Sequence, residues 1–323
     1  MPELPPPVEG QLPWRLRALF TVVGASAALK LLPPVEAVPS QPLEKRQQAN
    51  RPPAWIGGRV PPDVSVEDHV SETPSGPLRI RLYRPPAVTG RLPVLAYAHG
   101  GGWVTGSVQT TDTICAALAL QAGTCVASID YRLAPDAPYP AALDDVESGV
   151  RWLLGNAESL FLDTQSLSIG GDSAGGNLAA ALAIRLRDLV PLRAQVLIYP
   201  VLDATLSCPS VREFNGWGLR LRDMTVYRDA YAGEADRSDP ELSPLLVDDV
   251  AGLAPAYVVT AGLDCLRDEG RRYAARLAAA GVTVEYVHYP HLPHGFMGLA
   301  GLCPEAGQVL TGIATFLRRS PAG

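Results

Sequence analysis

The sequence predicts an α/β fold in which a mostly parallel central sheet is flanked by helices on both faces. Short, almost continuously apolar segments have the length and composition of strands buried on both faces. Alanine- and leucine-rich segments of helical length lie between them, and strand alternating with helix indicates βαβ units. The predicted strands lie in LPVLAYAHG, TCVASIDY, SLSIGG, AQVLIYP, PAYVVTAG and VTVEYVHYP.

Composition excludes several classes of function. The chain has 323 residues, of which 47% are hydrophobic, enough for a large buried core. The net charge is −6 and no basic stripe exists, which argues against nucleic acid as a partner. The five cysteines form no C-x-x-C pair, so we expect reduced thiols in a cytoplasmic protein. No Cys/His cluster has zinc-like spacing, so no metal is expected.

The first 55 residues are rich in proline and contain one apolar run, from Ala18 to Leu29. This run superficially resembles a signal peptide. It ends at Lys30 and is shorter than the roughly 20 residues that a comfortable transmembrane helix needs. We therefore expect an amphipathic helix of the folded protein. An exported or membrane-anchored chain remains the alternative, and membrane contact is left open.

Two features organise the rest of the chain. The segments VSVEDHV, which begins just after Asp63, and LRIRLYRP, which begins at Leu78, alternate apolar and polar residues and predict an antiparallel edge of the sheet. Residues 204–245 contain no clear strand–helix unit, and long irregular insertions are usually functional. We predict a catalytic core of residues 56–203 and 246–323. Residues 1–55 and 204–245 would form a cap over the carboxyl ends of the strands, where ligands bind in open α/β sheets.

The segment IGGDSAGGNLAAA contains the pattern G-x-S-x-G, from Gly171 to Gly175, between a predicted strand and a predicted helix. In that setting the pattern is typical of a nucleophile elbow, a strained turn that exposes a serine hydroxyl. Glycines two residues on either side of the serine allow strand and helix to approach without Cβ clashes. Ser173 is therefore the candidate nucleophile.

A serine nucleophile needs a base, and the base needs an orienting acid; in this arrangement they follow in the order serine, acid, histidine. Asp264 lies just past the strand AYVVTAG, and an alternative role for it is to cap the next helix. His288 lies within a predicted strand and is interpreted as structural. His291 and His294 both lie in the following loop, and position alone favours His294 while leaving His291 open.

Acyl transfer also needs hydrogen-bond donors for the developing oxyanion. The segment AYAHGGGW offers the backbone amides of Gly100, Gly101 and Gly102 after a strand, and Ala174 should supply a further amide. A phosphate-binding glycine loop would need G-x-x-x-x-G-K-[ST] or G-x-G-x-x-G, and neither is present. His99 is expected to form a hydrogen bond within this loop.

Several long motifs resemble the hormone-sensitive-lipase family of serine esterases, called family IV among bacterial lipolytic enzymes. The resemblance covers about residues 60 to 318. It implies an α/β-hydrolase fold with a helical cap, and Ser173, Asp264 and His294 as catalytic triad. It also implies Gly101, Gly102 and Ala174 as the main oxyanion donors. The motifs are HGGGWVTGS, DYRLAPDAPYPAALDD, GGDSAGGNLA, SDPELSPL, LDCLRDEGRRYAARLAAAGV and HGF.

We therefore expect a carboxylesterase that acts on short- to medium-chain acyl esters of small molecules without a cofactor. Trp103, Phe214, Trp217 and Phe296 are the expected lining of its substrate pocket. The alternatives are an amidase or deacetylase, or a membrane-associated lipase, with the same triad. A non-catalytic binding protein, like the plant gibberellin receptors that resemble this family, is disfavoured. Those receptors lack the catalytic histidine, whereas this chain has His294. A homodimer is possible by resemblance alone.

Overall fold

The computed structural model describes residues 12–28, 34–86, 90–214 and 218–319. Within them, eight strands form one sheet in the order β1-β2-β4-β3-β5-β6-β7-β8. The strands are β1 Ser65–Thr73, β2 Gly76–Arg84, β3 Leu92–Ala98, β4 Cys125–Ile129, β5 Leu162–Asp172, β6 Ala194–Ile198, β7 Ala256–Leu263 and β8 Val284–Pro293.

Strand β2 is antiparallel to both of its neighbours, β1 and β4, and every other pair of adjacent strands is parallel. The hairpin β1–β2 forms one edge, where Leu78, Ile80 and Leu82 of β2 are buried, whereas Val66 and Val70 of the outermost strand β1 are exposed. The central strands are buried along their whole length, as their continuous apolar sequences require. The predicted mostly parallel sheet with an antiparallel edge is confirmed.

Helices cover both faces of the sheet. On one face pack α4 and α10, and on the other α5, α6 and α9. In β3, Val94 and Ala96 face the second group while Leu95 and Tyr97 face the first, because successive side chains of a strand alternate. The α-helices in the described residues are α1 Trp14–Ala28, α2 Leu43–Gln48, α3 Ala54–Gly57, α4 Asp112–Ala122, α5 Ala141–Gly155, α6 Ala174–Arg185, α7 Ser210–Glu213, α8 Leu221–Ala232, α9 Arg267–Ala279 and α10 Glu305–Arg319.

The candidate site residues each directly follow a strand. His99 comes after β3, Ser173 after β5, Asp264 after β7 and His294 after β8. Because these four strands are parallel, their carboxyl ends lie at the same edge of the sheet. The topology therefore brings together residues that are up to 195 positions apart in the chain, from His99 to His294.

The N-terminal apolar run lies partly in α1. Leu12 and Leu16 are buried against the core, whereas Trp14 and Val22 are exposed. Residues 1–11 and 29–33 lie outside the described part, so the structure describes only some of the run. Among the described helices, none combines the length and apolar character needed to cross a membrane.

The predicted irregular insertion contains more regular structure than its sequence indicated. Helix α8 occupies residues 221–232, with only Asp223, Met224, Tyr231 and Ala232 buried, which is too few for a clear helical period in the sequence. Arg222 of α8 forms an ion pair with Glu36 near the N-terminus. The insertion and the N-terminal segment therefore meet, as a shared cap would require.

Candidate active site

Ser173 occupies a strained turn between β5 and α6. Its backbone has φ +55° and ψ −118°, a conformation that non-glycine residues rarely adopt and that costs of order 1–3 kcal/mol. A Cβ atom at Gly175 would overlap the carbonyl oxygen of Ala98, and one at Gly171 would overlap the backbone of Gly175. The glycines thus permit close packing of strand and helix. The Ser173 amide donates to the Ile198 carbonyl at 2.9 Å, which anchors the turn to the next strand.

Ser173, His294 and Asp264 form a continuous hydrogen-bonded chain. The distance from Ser173 Oγ to His294 Nε2 is 2.8 Å, and from His294 Nδ1 to Asp264 Oδ2 it is also 2.8 Å. The second carboxylate oxygen of Asp264 accepts the amide of Leu266 at 2.9 Å, just before α9. Asp264 therefore orients the imidazole and also bonds at the start of the helix, so the two roles considered for it coexist.

The burial of the residues in this hydrogen-bonded series determines which nitrogen of His294 carries the proton. The Asp264 side chain is 1% exposed and that of His294 is 11% exposed, so only the imidazole and the serine approach solvent. A buried carboxylate accepts hydrogen bonds, so Nδ1 of His294 carries the proton that it donates to Asp264. Nε2 is then an acceptor for the Ser173 hydroxyl. This arrangement can remove a proton from a serine nucleophile.

The imidazole of His294 is also held by packing. The ring of Tyr199, the residue that follows β6, lies 4.7 Å from the His294 ring between centroids. Tyr199 has φ +35°, a second strained residue at this edge of the sheet. Sequence reasoning missed it, although its position directly after a buried strand is the same signal that identified Asp264. The other two candidate histidines lie elsewhere: His288 bonds to Thr260 within the sheet at 2.9 Å, and His291 is exposed.

The glycine loop after β3 turns sharply beside Ser173. Gly101 and Gly102 have φ values of +122° and +61°, and the Gly101 carbonyl accepts the amide of Thr105 at 2.9 Å. Within the described residues, the amides of Gly101, Gly102 and Ala174 have no hydrogen-bond acceptor. Ala174 begins α6, where the first amides lack intrahelical partners and the helix dipole is positive. These amides can therefore bind an anion.

Gly100 differs from the expectation. Its amide donates to Oδ1 of Asp172 at 3.0 Å, so it is already used inside the protein and is not available to an oxyanion. The same Oδ1 accepts the hydroxyl of Tyr97 at 3.0 Å. Burial raises the pKa of Asp172, and the hydrogen bonds from Tyr97 and Gly100 oppose that rise. His99 bonds within the loop, from Nδ1 to the Gly100 carbonyl at 2.7 Å, and burial lowers its pKa.

Comparison with known proteins agrees with this architecture. A family model described as the alpha/beta hydrolase fold matches residues 95–298. The esterase LipI of Mycobacterium tuberculosis is 40% identical over 254 residues, covering 76% of this chain and 79% of LipI. The ethyl acetate hydrolase of Pseudomonas putida is 38% identical over 314 residues, covering 94% of this chain and 98% of that enzyme. The chain belongs to the hormone-sensitive-lipase-like esterases.

Solved structures of esterases extend the match over nearly the whole chain. An ester hydrolase from the metagenome of Lake Arreo, solved with a bipyridine phosphonate derivative, superposes with a TM-score of 0.88 at 38% identity. The match covers 95% of this chain and 98% of that one. The hyperthermophilic esterase of Pyrobaculum calidifontis superposes with a TM-score of 0.86 at 34% identity, covering 96% and 98%. The predicted family, the α/β-hydrolase fold and the assignment as a carboxylic-ester hydrolase are confirmed.

The four residues expected to line a substrate pocket in this family member lie in different surroundings. Trp103 and Phe296 are completely buried; the Trp103 indole stacks on Tyr231 of α8 at 4.5 Å. Both side chains pack within the hydrophobic core on the two sides of the sheet, so the expectation that they line the pocket is corrected: they are core residues. Phe214 is partly buried against the core, and Trp217 lies outside the described residues.

A residue that sequence reasoning missed lies closer to the glycine loop. A Cβ atom at Gly102 would come 2.6 Å from Cγ of Tyr227, so the phenol ring of this α8 residue packs directly on Gly102. Tyr227 is only partly buried. Its sequence context gave no signal, because the insertion lacks a clear helical period. The contact places a side chain of α8 beside the candidate oxyanion site of this esterase.

Neither a metal site nor a disulfide is part of this architecture in the described residues. They contain no group of three or more His, Cys, Asp or Glu side chains suited to a metal ion. All five cysteines, which lie within the described ranges, are buried free thiols.

Proposed function

We propose that Ser173, His294 and Asp264 act as the catalytic triad of an esterase that hydrolyses small acyl esters. The observation that carries this proposal is the unbroken chain of two 2.8 Å hydrogen bonds from Ser173 Oγ through the imidazole to the buried carboxylate. Support comes also from the amides of Gly101, Gly102 and Ala174, which have no acceptor in the described residues; Ala174 directly follows Ser173, and the glycine loop is bonded to Asp172, which directly precedes it. A nucleophile, a base, an orienting acid and an anion site are the parts that acyl transfer needs.

The acylation step follows from these contacts. Ser173 Oγ attacks the acyl carbon while its proton moves to Nε2 of His294. The carbonyl oxygen becomes an oxyanion that accepts hydrogen bonds from the amides of Gly101, Gly102 and Ala174. The imidazolium then gives its proton to the leaving alkoxide, which departs as the alcohol and leaves an acyl-enzyme. Asp264 stabilises the imidazolium and does not itself take up the proton.

Deacylation repeats the same proton movements with water. His294 removes a proton from a water molecule, whose oxygen attacks the acyl carbon. The three amides hold the second oxyanion, and Ser173 departs after its oxygen regains a proton from Nε2. The products are one carboxylic acid and one alcohol. The protein groups that both steps use are the hydrogen-bonded chain of Ser173, His294 and Asp264, the glycine loop, and the first amide of α6.

We propose short- to medium-chain acyl esters as the substrates. The Pseudomonas putida relative, which aligns with 94% of this chain, is named for hydrolysis of ethyl acetate. The ring of Tyr227 against Gly102 limits the space beside the proposed oxyanion site. In the same proposal residues 1–55 and 204–245 form the cap, and residues 56–203 and 246–323 form the catalytic core. The two cap segments are linked by the ion pair between Arg222 and Glu36.

The buried free thiols favour a reducing compartment, so we propose a cytoplasmic enzyme. A homodimer stays a prediction from resemblance.

The experiment compares p-nitrophenyl butyrate hydrolysis by the wild type, Ser173→Ala and Ser159→Ala. Ser159 is an exposed serine whose hydroxyl bonds only locally, to the Asn156 carbonyl. We expect Ser173→Ala to lose at least about 10⁴-fold in kcat, since loss of a triad nucleophile removes covalent catalysis. Ser159→Ala should match the wild type. Equal rates for Ser173→Ala and wild type would overturn the triad assignment.

A series of p-nitrophenyl esters from acetate to palmitate tests the substrate class, with p-nitrobutyranilide as the amide. We expect the highest kcat/KM at acyl chains of two to six carbons or thereabouts, because a confined acyl site loses long chains to steric exclusion. The anilide should be hydrolysed far more slowly than the butyrate ester. A maximum at palmitate, or faster cleavage of the anilide, would contradict the proposed substrates.

A further inference from the structure

The short helix α2 and its flanking residues, 41–50, contain a buried cation that faces the glycine loop. Arg46 is 2% exposed, and its guanidinium donates to the carbonyl of Val104 at 3.0 Å and to that of Ala134 at 2.6 Å. Its Nε donates to the Gln41 carbonyl at 3.0 Å, and Nη2 pairs with the carboxylate of Asp136. Burying a cation is costly unless its donors are satisfied, and here carbonyls and one carboxylate satisfy them.

The backbone of the same segment binds the end of the glycine loop. The Arg46 carbonyl accepts the amide of Gly106 at 2.8 Å, and the Gln47 carbonyl accepts the hydroxyl of Ser107 at 2.9 Å. Together with the bond from Arg46 to Val104, these contacts join residues 104–107 to a segment about 60 positions earlier in the chain. We call residues 41–50 the N-terminal brace.

A fourth contact reaches the middle of the loop. Asn50 Nδ2 donates to Thr105 Oγ1 at 2.9 Å, and Thr105 Oγ1 donates to the carbonyl of Gly101 at 2.9 Å. The Gly101 carbonyl and the Gly102 amide belong to the same planar peptide group. A contact that fixes the direction of this carbonyl therefore also fixes the direction of the Gly102 N–H, on the opposite side of the peptide.

We infer that the N-terminal brace positions the oxyanion donors, with Arg46 and Asn50 as positioning residues. The inference rests on the proposed function, because it assigns a role in aiming the Gly102 amide at the oxyanion. Glycines at positive φ have little conformational preference of their own, so the direction of this amide must be imposed by neighbours. Arg46 holds the loop where it leaves the turn, and Asn50 acts through Thr105 on the peptide itself.

The test uses Arg46→Met and Arg46→Lys, with Arg276→Met as the matched control. Arg276 on α9 also binds backbone carbonyls of a loop, those of Leu245, Val247 and Asp248, and it does not contact the glycine loop. For each variant, kcat and KM for p-nitrophenyl butyrate are measured with the Ki of an alkyl trifluoromethyl ketone. This inhibitor forms a tetrahedral adduct with a serine and places an oxyanion in the hole. Thermal melting and hydrogen exchange of peptides covering residues 99–107 complete the set.

We expect Arg46→Met to lower kcat tenfold to a hundredfold, less than complete loss of one oxyanion donor, which costs about 10²–10³. KM should change less than about threefold, and Ki should rise by the same factor as kcat falls. Arg46→Lys should retain intermediate activity because it keeps the charge and part of the donor set. Hydrogen exchange at residues 99–107 should increase in Arg46→Met but not in Arg276→Met.

Wild-type kcat and Ki in Arg46→Met, or equal losses in Arg46→Met and Arg276→Met, would overturn the inference. If Arg46→Met does not fold, Asn50→Gly decides, because Asn50 is exposed and has φ +64°, a conformation that glycine adopts without strain, so the substitution removes the side-chain contact to Thr105 without straining the backbone. We expect a twofold to tenfold loss of kcat with unchanged KM, and unchanged kcat would overturn the inference. Failure of the proposed function is distinguishable: the wild type would then hydrolyse no ester, while hydrogen exchange would still report whether the brace holds the loop.

Discussion

The carboxylate of Asp172 accepts a hydrogen bond from the backbone amide of Gly100 at 3.0 Å, and this bond joins the nucleophile turn to the glycine loop. Asp172 directly precedes Ser173, whereas Gly100 directly precedes the proposed oxyanion donors. The side chain of Asp172 therefore links the nucleophile turn to the proposed oxyanion site, in addition to the contacts that the N-terminal brace makes with the loop. Tyr97, which donates to the same oxygen, holds that side chain from within the sheet.

Asp172→Ala should lower kcat for p-nitrophenyl butyrate by about tenfold and lower the melting temperature. The substitution leaves the Gly100 amide and the Tyr97 hydroxyl buried without an acceptor, at a cost of about 1–3 kcal/mol each. Asp172→Asn keeps a carbonyl acceptor and should retain most of the activity. Tyr97→Phe removes only the hydroxyl contact and should leave kcat near the wild-type value. If Asp172→Ala keeps wild-type kcat, the bond to Gly100 does not position the loop.

Gly175→Ala should prevent folding or abolish activity, because its Cβ would overlap the carbonyl of Ala98 and neither backbone can move independently. Gly307→Ala on α10 is the control, since no atom lies within 4 Å of its added Cβ. In a helix this change should stabilise the fold by about 0.5–1 kcal/mol. Soluble expression and thermal melting measure both outcomes. A Gly175→Ala protein with wild-type melting and activity would contradict the close packing of β3 and α6.

His294→Ala should lose activity by at least about 10⁴-fold, whereas His291→Ala should match the wild type because His291 is exposed and makes no contact with the serine hydroxyl. Asp264→Asn should lower kcat by about 10⁴-fold, since an amide favours the wrong tautomer of the imidazole. Steady-state kinetics of the three variants give the answer. The assignment fails if His291→Ala is inactive and His294→Ala is not.

Glu269, which lies buried in α9, should make a contribution to the free energy of unfolding that decreases as the pH rises. Burial, with the nearby charges of Asp203 and Asp264, raises its pKa well above 4.5, although the Leu202 amide donates to Oε2 at 2.8 Å. Because the folded pKa exceeds the unfolded one, the neutral form favours folding below pH 4.5 or so. That contribution is lost as pH rises toward the folded pKa, at up to about 1.4 kcal/mol per unit.

Glutamine cannot ionise. The melting temperature of Glu269→Gln minus that of the wild type should therefore increase as the pH is raised from about 4 to 8. Exposed Glu158→Gln controls for the removal of one formal charge. Thermal melting over that pH series provides the measurement. A difference between Glu269→Gln and wild type that stays constant with pH would show that Glu269 does not titrate with a raised pKa in the fold.

The fold could be predicted because the local sequence of a strand indicates whether the strand is buried. Continuous apolar runs such as 256–263 have the composition of central strands, and the glycines around Ser173 indicate a tight turn through their spacing alone. Residues directly after such strands were the correct candidates to bring together, because parallel topology collects them at one edge.

The expectations that proved wrong concern residues whose surroundings depend on contacts between distant segments. Three consecutive glycines look equivalent in sequence, and only the approach of Asp172, 72 positions away, removes the Gly100 amide from the candidate donors. From the sequence, Trp103 has the features of a pocket residue. In the structure, α8 packs over it and Tyr231 stacks on its indole, so it is buried. The N-terminal brace could not be predicted because it also depends on contacts between distant segments. The residues next to Arg46 in the sequence do not indicate that its side chain is buried.

The most direct test of the central claim is labelling with a fluorophosphonate, followed by peptide mass spectrometry. We expect one modified residue, Ser173, with loss of ester hydrolysis in proportion to labelling and strongly slowed labelling in His294→Ala. A label on a different serine, or full ester hydrolysis by protein labelled at Ser173, would contradict this expectation.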